Sequence, residues 1–256
     1  MRDALLLDVT FTADELSALD LSETVVVVVD ILRATTTITA ALGAGALGVW
    51  AVTSPEAARQ LGVSRAAITA GERDGRQIPG LDLGNSPIEH SGALVAGRHV
   101  ALTTSNGTRT IVLARDASEI LLGCFNNLGA LVDVLEKIRA TKVLVACAGT
   151  SGGRRITPED VLFAGELVRG LRRSYRDLGG GAQLARDYAR ARAQNLEDVL
   201  RESPAGRRLM DLGYESDLDW AARRDSTGIV PGVFREEVPG AAPFLIPRGS
   251  GRPCPS

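Results

Sequence analysis

The stretch that decides the fold is VVVVVDILRATTT, residues 25–37, in which five valines run directly into Asp30, Arg33 and three threonines. An unbroken valine run is typical of a strand that is buried on both faces of a sheet. In open α/β sheets, ligands bind beyond the carboxyl ends of the strands, which is where Asp30 stands. The stretch therefore predicts a central strand that ends at the rim of a binding site.

Apolar runs and helical patterns alternate along the first two thirds of the chain. Strand-like runs occur at 25–30, 47–52, 66–70, 98–103, 118–122 and 142–147, and helical patterns at about 34–43, 55–61, 106–115, 127–139 and 158–173. This order predicts an α/β protein with βα units and a mostly parallel sheet that is covered by helices on both faces.

The remainder of the chain differs in pattern. From 182 to 224 it is helical, and we expect this region to pack against the sheet, with GGG at 179–181 as a hinge. We therefore predict a single domain over 1–240. Residues 241–256 are rich in Pro, Gly and Ser and are expected to form a flexible tail that includes an exposed Cys254.

Bulk composition argues against several classes of protein. A net charge of −2 and a pI near 5.8 provide no basic field, so we expect no nucleic-acid partner. Three scattered cysteines do not suggest a disulfide framework. The N-terminus is a poor secretory signal and no apolar run approaches ~20 residues, so we expect a cytoplasmic protein that does not bind membranes. The sequence leaves open whether the chain forms a homodimer.

Three short motifs resemble known phosphate or nucleotide sites but depart from them. GAGALG, residues 43–48, follows a helical stretch and precedes a strand, so it predicts a helix end and a turn rather than a dinucleotide site. CAGTSGGR resembles a cysteine-phosphatase loop, but six residues separate Cys147 from Arg154 where that loop has five. We expect Cys147 to be a small buried residue. Leu32 stands where haloacid-dehalogenase phosphatases carry their second aspartate.

Polar segments follow several of the predicted strands. TTSNGTRT, residues 103–110, opens a helix with Arg109 on its first turn, and helix starts favour anions. Residues 71–89 form a long charged loop, and long irregular segments inside compact domains tend to be functional. The stretch ITPEDVLFAG, residues 156–165, starts the helix predicted over 158–173 and puts Asp160 in its first turn. We expect these segments to join the end of the valine strand in one anion site.

Taken in order, VVVDILRATTT, GERDG…GLDLGNSP, TTSNGT, GCFNN and ACAGT…EDVLFAG resemble the 2-phosphosulfolactate phosphatase (ComB-like) family. The resemblance spans roughly residues 22–170, with a weaker echo at 203–231. It implies a three-layer α/β/α fold and Mg²⁺-dependent hydrolysis of 2-phosphosulfolactate, a sulfonated 2-hydroxy acid ester, to 3-sulfolactate and phosphate, a step toward coenzyme M. Two alternatives stay open: a phosphatase of another phosphorylated hydroxy acid, and a non-catalytic anion-binding protein of the same fold.

We assign roles to the matching positions on physical grounds. Mg²⁺ takes carboxylate oxygens and retains waters, and its predicted ligands are Asp30, Glu72 and Asp160, with Asp82 in reserve. The predicted catalytic residues are Asp30, Arg33, Arg73, Asn106 and Arg109, the arginines holding phosphate, carboxylate and sulfonate. The predicted substrate-binding residues are Thr35, Thr36, Asn85, Ser86, Thr104, Gly107, Thr108, Asn126 and Gly149. A metal-activated water is the expected nucleophile, and a phospho-aspartate at Asp30 is the alternative.

Overall fold

The computed structural model describes residues 5–234 and 242–248, and within them eleven strands form one sheet. The strands are β1 (Leu6–Thr10), β2 (Thr24–Val29), β3 (Gly48–Val52), β4 (Ile68–Arg73), β5 (Arg76–Gln77), β6 (His99–Thr103), β7 (Glu119–Gly123), β8 (Lys142–Cys147), β9 (Asp177–Leu178), β10 (Pro231–Phe234) and β11 (Phe244–Pro247). Their order across the sheet is β5-β4-β6-β3-β11-β10-β7-β2-β8-β1-β9. The sheet is mostly parallel, as the sequence predicted.

Helices cover both faces of the sheet, which gives the expected three-layer α/β/α architecture. In the described residues they are α1 (Ala34–Gly43), α2 (Pro55–Arg65), α3 (Pro87–His90), α4 (Gly107–Leu113), α5 (Leu128–Ile138), α6 (Pro158–Leu171), α7 (Gly180–Arg192), α8 (Leu196–Glu202), α9 (Pro204–Asp211) and α10 (Glu215–Ala221). The last four form the helical C-terminal region. Among residues 5–234 and 242–248, no helix has the length and apolar character needed to cross a membrane.

The valine run forms β2, which lies between β7 and β8 in parallel register. Successive side chains of a strand point to opposite faces, and here Val25, Val27 and Val29 pack into the core that contains α6. Val26 and Val28 pack into a second core that contains α1. All five are at most 3% exposed. Burial on both faces is therefore the reason why the run contains no polar residue.

The sheet contains two groups of parallel strands, one of β4, β6 and β3 and the other of β7, β2, β8, β1 and β9. A C-terminal hairpin lies between the two groups and joins them. In this hairpin β10 pairs with β7, and β11 pairs with β3, in both cases antiparallel. Gly48 of β3 is needed here, because a Cβ at that position would lie 2.1 Å from the ring of Phe244. The expected tail at 241–256 is thus wrong for residues 244–247, and residues 249–256, including Cys254, lie outside the described residues.

The glycine triplet 179–181 forms the start of α7, where Gly179 and Gly181 are tightly packed, and is not the open linker that a hinge requires. A Cβ on Gly179 would lie 2.0 Å from Asp8 Cγ, and a Cβ on Gly181 would lie 1.9 Å from the Val9 carbonyl oxygen. Asp8 Oδ1 also accepts a hydrogen bond from the Ala182 N–H at 3.1 Å. The glycines are therefore explained by the close approach of α7 to β1.

This packing predicts different responses from adjacent glycines. Gly181→Ala should lower the free energy of unfolding by about 2 kcal/mol or more, because the new methyl group overlaps the β1 backbone. Gly180→Ala is the matched control and should be neutral or slightly stabilising, since no atom lies within 4 Å of its added Cβ. Urea unfolding of both variants measures the difference. Equal stability of the two variants would contradict the tight packing of Gly181.

Candidate active site

A cavity of about 470 Å³ lies where the segments that follow several strands meet. Asp30 reaches it from the end of β2, Glu72 from β4, Thr104–Asn106 from the end of β6, and Thr150–Gly152 from the segment after β8. Helix α9 adds another wall through Pro204, Arg208 and neighbouring residues. Segments that are far apart in the sequence thus form one polar cavity.

Asp30 is buried at the start of α1, with 8% of its surface exposed. Its Oδ1 accepts a hydrogen bond from the Ala34 N–H at 3.4 Å, and its main-chain carbonyl accepts one from the Thr35 N–H at 3.0 Å. Gly107 approaches from the other side, where an added Cβ would lie 2.6 Å from Asp30 Oδ2. The Asp30 side chain is therefore an acidic group that already accepts a hydrogen bond at the start of α1.

The buried threonines of α1 bind backbone carbonyls instead of a ligand. Thr35 Oγ1 donates to the Gly123 carbonyl at 2.8 Å, and Thr36 Oγ1 donates to the Ile31 carbonyl at 2.8 Å. Neither residue lines the cavity. Thr35 and Thr36, predicted to bind substrate, therefore do not face this cavity, because their hydroxyls satisfy buried carbonyl groups.

Buried carboxyl groups cluster around the end of β2. Burial, followed by the charges of Asp160 and Glu72, raises the pKa of Asp30 to about 8. Burial and the neighbouring Glu159 raise the pKa of Asp160 to about 7. Burial also raises the pKa of Glu159 to about 7, and its Oε2 has no hydrogen-bond partner. The cluster therefore holds protons near neutral pH.

The three predicted metal ligands do not lie together at the cavity. Glu72 lines it, and its two carboxylate oxygens accept hydrogen bonds from the Ser105 and Gly75 N–H groups at 2.7 and 2.8 Å. Asp160 does not line the cavity, and its Oδ1 accepts from the Ile31 N–H at 2.9 Å. No group of three or more His, Cys, Asp or Glu residues is arranged to hold a metal within the described segments.

Asp82, the reserve ligand, lies outside the cavity. Its Oδ2 accepts hydrogen bonds from both the backbone N–H and the hydroxyl of Thr69, each at 2.8 Å. These bonds lower the pKa of Asp82. Asp82 therefore fixes the 71–89 loop to β4, and only Asp30 and Glu72 of the four predicted carboxylates face the cavity.

Arg33 lines the cavity and is almost completely buried. Its Nη1 lies 2.7 Å from Asp217 Oδ2, and the guanidinium carbon is 4.6 Å from the centre of the Tyr214 ring. Ser86 donates to the other Asp217 oxygen at 2.5 Å. Ser86, predicted to bind substrate, therefore donates its hydroxyl to Asp217 and helps to fix the carboxylate that pairs with Arg33.

Arg73 and Arg109 do not line the cavity, contrary to prediction. Side chains alternate along β4, so Arg73 points away from Glu72 and its Nη2 donates to Thr103 Oγ1 at 3.1 Å. Arg109 forms an ion pair with Asp14 at 2.6 Å. Neither arginine contributes a guanidinium group to the site.

Two of the predicted asparagines line the cavity. Asn85 is 3% exposed, and its Oδ1 has no hydrogen-bond partner. Asn106 Oδ1 accepts from the Gly152 N–H at 3.1 Å and so joins the β6 and β8 segments. Asn126 lies elsewhere, because its amide donates to the carbonyls of Trp220 and Arg223 at 2.9 and 2.8 Å.

The other predicted substrate-binding residues shape the backbone around the cavity. Thr104 lines it, and its Oγ1 accepts from the Thr108 N–H at 3.1 Å. Thr108 Oγ1 donates in return to the Thr104 carbonyl at 3.0 Å. Gly149 has a φ of +63°, and a Cβ there would lie 2.5 Å from the Arg155 carbonyl oxygen. Gly107 and Gly149 therefore allow close backbone approach.

Sequence reasoning missed four residues that shape the site. Asp217, Glu159, Arg155 and Arg208 were not assigned a role, although Arg155 and Arg208 line the cavity. The helical periodicity of α10 could have indicated Asp217, because this acid lies on the same helical face as the buried Ala221. Nothing comparable marked Arg155 or Arg208, which are exposed arginines in a chain with only two lysines.

Cys147 is a small buried core residue, as expected. It is fully buried at the end of β8 and packs in the core with Val29 and Val145. Burial and nearby carboxylates raise the pKa of its thiol well above the usual range. A thiol that stays protonated and inaccessible is a poor nucleophile, so the geometry disfavours a cysteine-phosphatase mechanism.

The chain combines a three-layer α/β fold with a small polar cavity that carboxylates and arginines line. A family model described as 2-phosphosulpholactate phosphatase matches residues 10–236. The chain therefore belongs to the 2-phosphosulfolactate phosphatase family.

Similar proteins agree with this assignment. A protein of Thermotoga petrophila is 40% identical over 215 residues, which cover 81% of this chain and 90% of the relative. A protein of Deinococcus radiodurans is 37% identical over 228 residues, which cover 86% of this chain and 93% of the relative. Both are named probable 2-phosphosulfolactate phosphatase. The residues that the family model matches include β2, the segments around the cavity and the four C-terminal helices.

The burial of Cys147 predicts a mild phenotype for Cys147→Ser. The variant should retain phosphatase activity within about threefold, because the thiol does not reach the cavity and only core packing changes. Steady-state kinetics on a phosphomonoester, with circular dichroism to confirm folding, would test this. Loss of all turnover in a folded variant would support thiolate attack.

The buried Glu159 predicts a pH-dependent stability difference. Its pKa is raised above that of the unfolded chain, so folding is favoured by its protonated form and stability falls as the pH rises from about 4 to about 7. Glu159→Gln removes this ionisation and should be more stable than wild type at pH 8.5, by on the order of 2 kcal/mol, and similar at pH 4.

The control for this comparison is Glu56→Gln, in which an exposed side chain is changed. The stability difference between Glu56→Gln and wild type should change far less over this pH range than that of Glu159→Gln, because the Glu56 side chain is exposed. Thermal unfolding of all three proteins across this range, in the presence of a chelator, measures the effect. If the stability of Glu159→Gln changes with pH in the same way as that of wild type, Glu159 is not held protonated in the folded protein.

Proposed function

We propose that this protein hydrolyses 2-phosphosulfolactate to 3-sulfolactate and phosphate with the help of Mg²⁺. Membership of the family and the names of the relatives support the substrate. The observation that carries the proposal is the placement of Asp30 and Glu72 at one cavity that also contains arginines. In the reaction, water adds to phosphorus while the ester P–O bond breaks, and the hydroxyl oxygen of sulfolactate leaves with the electron pair and gains a proton.

Asp30 and Glu72 fit the requirements of a magnesium site. Mg²⁺ is commonly held by one or two carboxylates, substrate phosphate oxygens and waters, rather than by a full protein cage. Burial and the charges of Asp160 and Glu72 raise the pKa of Asp30, and a bound dication would stabilise its ionised form. When bound, Mg²⁺ would offset the charge of the phosphate and lower the pKa of a water molecule.

The protein groups around these carboxylates orient the substrate. Arg33 presents a guanidinium group whose position is fixed by Asp217, by the Gly75 carbonyl at 2.8 Å and by Tyr214. Asn85 offers an amide that is buried at the cavity wall, with an oxygen that has no partner. These fixed polar groups favour one orientation of the ester and supply donors where charge develops in the transition state.

Water rather than Asp30 is the proposed nucleophile. The Asp30 carboxylate is already engaged by the Ala34 and Gly107 N–H groups at the start of two helices. Attack by this carboxylate on phosphorus would require it to leave those donors. The phospho-aspartate route is thus disfavoured by the bonds that hold Asp30 in place.

Mg²⁺ binding by wild type should strengthen as the pH rises from 6 to 8, because the ion competes with the proton on Asp30, whose pKa is about 8. Below that pKa the affinity should rise about tenfold per pH unit. Titration calorimetry in buffers of different ionisation enthalpy would measure both the affinity and the proton released. Asp30→Asn and Glu72→Gln should lose most of the binding and most of the activity.

The matched control is Asp82→Asn, since Asp82 is an acidic residue that follows Glu72 closely in the sequence but lies outside the cavity. It should bind Mg²⁺ and turn over substrate within about threefold of wild type. Turnover that persists undiminished in excess chelator would overturn the magnesium proposal. Binding of the substrate without any hydrolysis would instead favour a non-catalytic anion-binding protein.

A further inference from the structure

Two arginines at the cavity have no assigned role. Arg155 lies just after the Thr150–Gly152 loop, and its backbone is held by reciprocal hydrogen bonds with Thr150 at 2.8 and 3.1 Å. Arg208 lies on α9, whose start is capped by Ser203 Oγ accepting from the Gly206 N–H at 2.9 Å. They therefore approach the cavity from two different and well-anchored segments.

The three arginines at the cavity differ in whether their positive charges are already paired with a carboxylate. The charge of Arg33 is already paired with Asp217 in a buried contact. Arg155 is exposed and forms no side-chain hydrogen bond or ion pair within residues 5–234 and 242–248. Arg208 lies 3.5 Å from the largely exposed carboxylate of Asp74, and exposed pairs of this kind contribute little. Arg155 and Arg208 are thus available to bind an anion.

We propose that Arg155 binds the sulfonate of the substrate and that Arg208 binds its carboxylate. This inference rests on the proposed function, in which the substrate carries phosphate, carboxylate and sulfonate together. Asp30 and Glu72, with Mg²⁺, account for the phosphate alone. The two remaining anionic groups need two further cations, and Arg155 and Arg208 are the guanidinium groups at the cavity in the described segments besides Arg33.

The hydrogen-bond donors of each arginine decide which anion it takes. Arg208 already donates its Nε–H to the Asp74 carbonyl at 2.8 Å. Its Nη1, and the Nη2 that lies 3.5 Å from the exposed Asp74 carboxylate, can turn to a planar group with two oxygens. The guanidinium of Arg155 retains all its donors, and it adjoins the polar loop that contains Thr150 and Ser151. A sulfonate has three oxygens that accept hydrogen bonds, and this larger set of donors suits it better.

The test compares 2-phosphosulfolactate with 2-phospholactate, which lacks only the sulfonate. Wild type should prefer the sulfonated substrate in kcat/KM by about tenfold or more. Arg155→Ala should lose about tenfold or more on 2-phosphosulfolactate but less than threefold on 2-phospholactate, so that the preference disappears. Arg208→Ala should lower kcat/KM for both substrates by a similar factor, because both carry the carboxylate.

The adjacent arginines provide matched controls. Arg154→Ala and Arg207→Ala remove the same charge next to each proposed residue, but neither side chain lines the cavity. Both variants should keep the wild-type preference for the sulfonated substrate. If they abolish it as Arg155→Ala does, or if Arg155→Ala affects both substrates equally, the effect is one of general charge and the assignment is wrong.

Binding of the product separates failure of this inference from failure of the proposed function. Calorimetry with 3-sulfolactate and with lactate requires no turnover. Wild type should bind 3-sulfolactate more tightly, and Arg155→Ala should bind the two with similar Kd. If wild type hydrolyses neither phosphorylated substrate, the proposed function fails. If wild type binds 3-sulfolactate no better than lactate, there is no sulfonate site and the role of Arg155 is refuted.

Discussion

The buried ion pair between Arg33 and Asp217 is the interaction on which the site depends. The two residues are 184 positions apart, and both side chains are at most 3% exposed. Removing one partner of such a pair leaves a buried charge uncompensated, at a cost of about 3–5 kcal/mol. The contact holds α10 against the segment that follows β2. Ser86 bonds to the same carboxylate, so the long loop after β4 is fixed to the same point.

A second constraint is the burial of several carboxyl groups around the end of β2. Asp30, Glu159 and Asp160 all have raised pKa values because burial disfavours their ionised forms. This arrangement destabilises the folded chain near neutral pH relative to one with neutral side chains. Groups with perturbed pKa values are concentrated at functional sites. The cost in stability is thus consistent with a site that is prepared to receive positive charge.

The sequence predicted the central part of the fold well. The helix expected over 34–43 is α1 (Ala34–Gly43), and the six strand-like runs all correspond to strands. It did not predict β1 or the hairpin of β10 and β11. The hairpin pairs with β7 and β3, and such pairing depends on contacts between residues far apart in the chain. Local sequence patterns do not specify which strands the hairpin pairs with.

The sequence by itself determined the central strand, the position of Asp30 at its end, and the family, but it predicted a loop at Glu72, which lies in β4. These properties follow from local patterns: burial on both faces requires a valine run, and a carboxylate after it must lie beyond the strand end. Only the tertiary structure decided which arginines reach the cavity. Arg73 points away because side chains alternate along β4, whereas Arg208 arrives on a C-terminal helix that packs beside the site. The direction and partner of a long side chain are set by packing, which the order of residues in a motif does not specify.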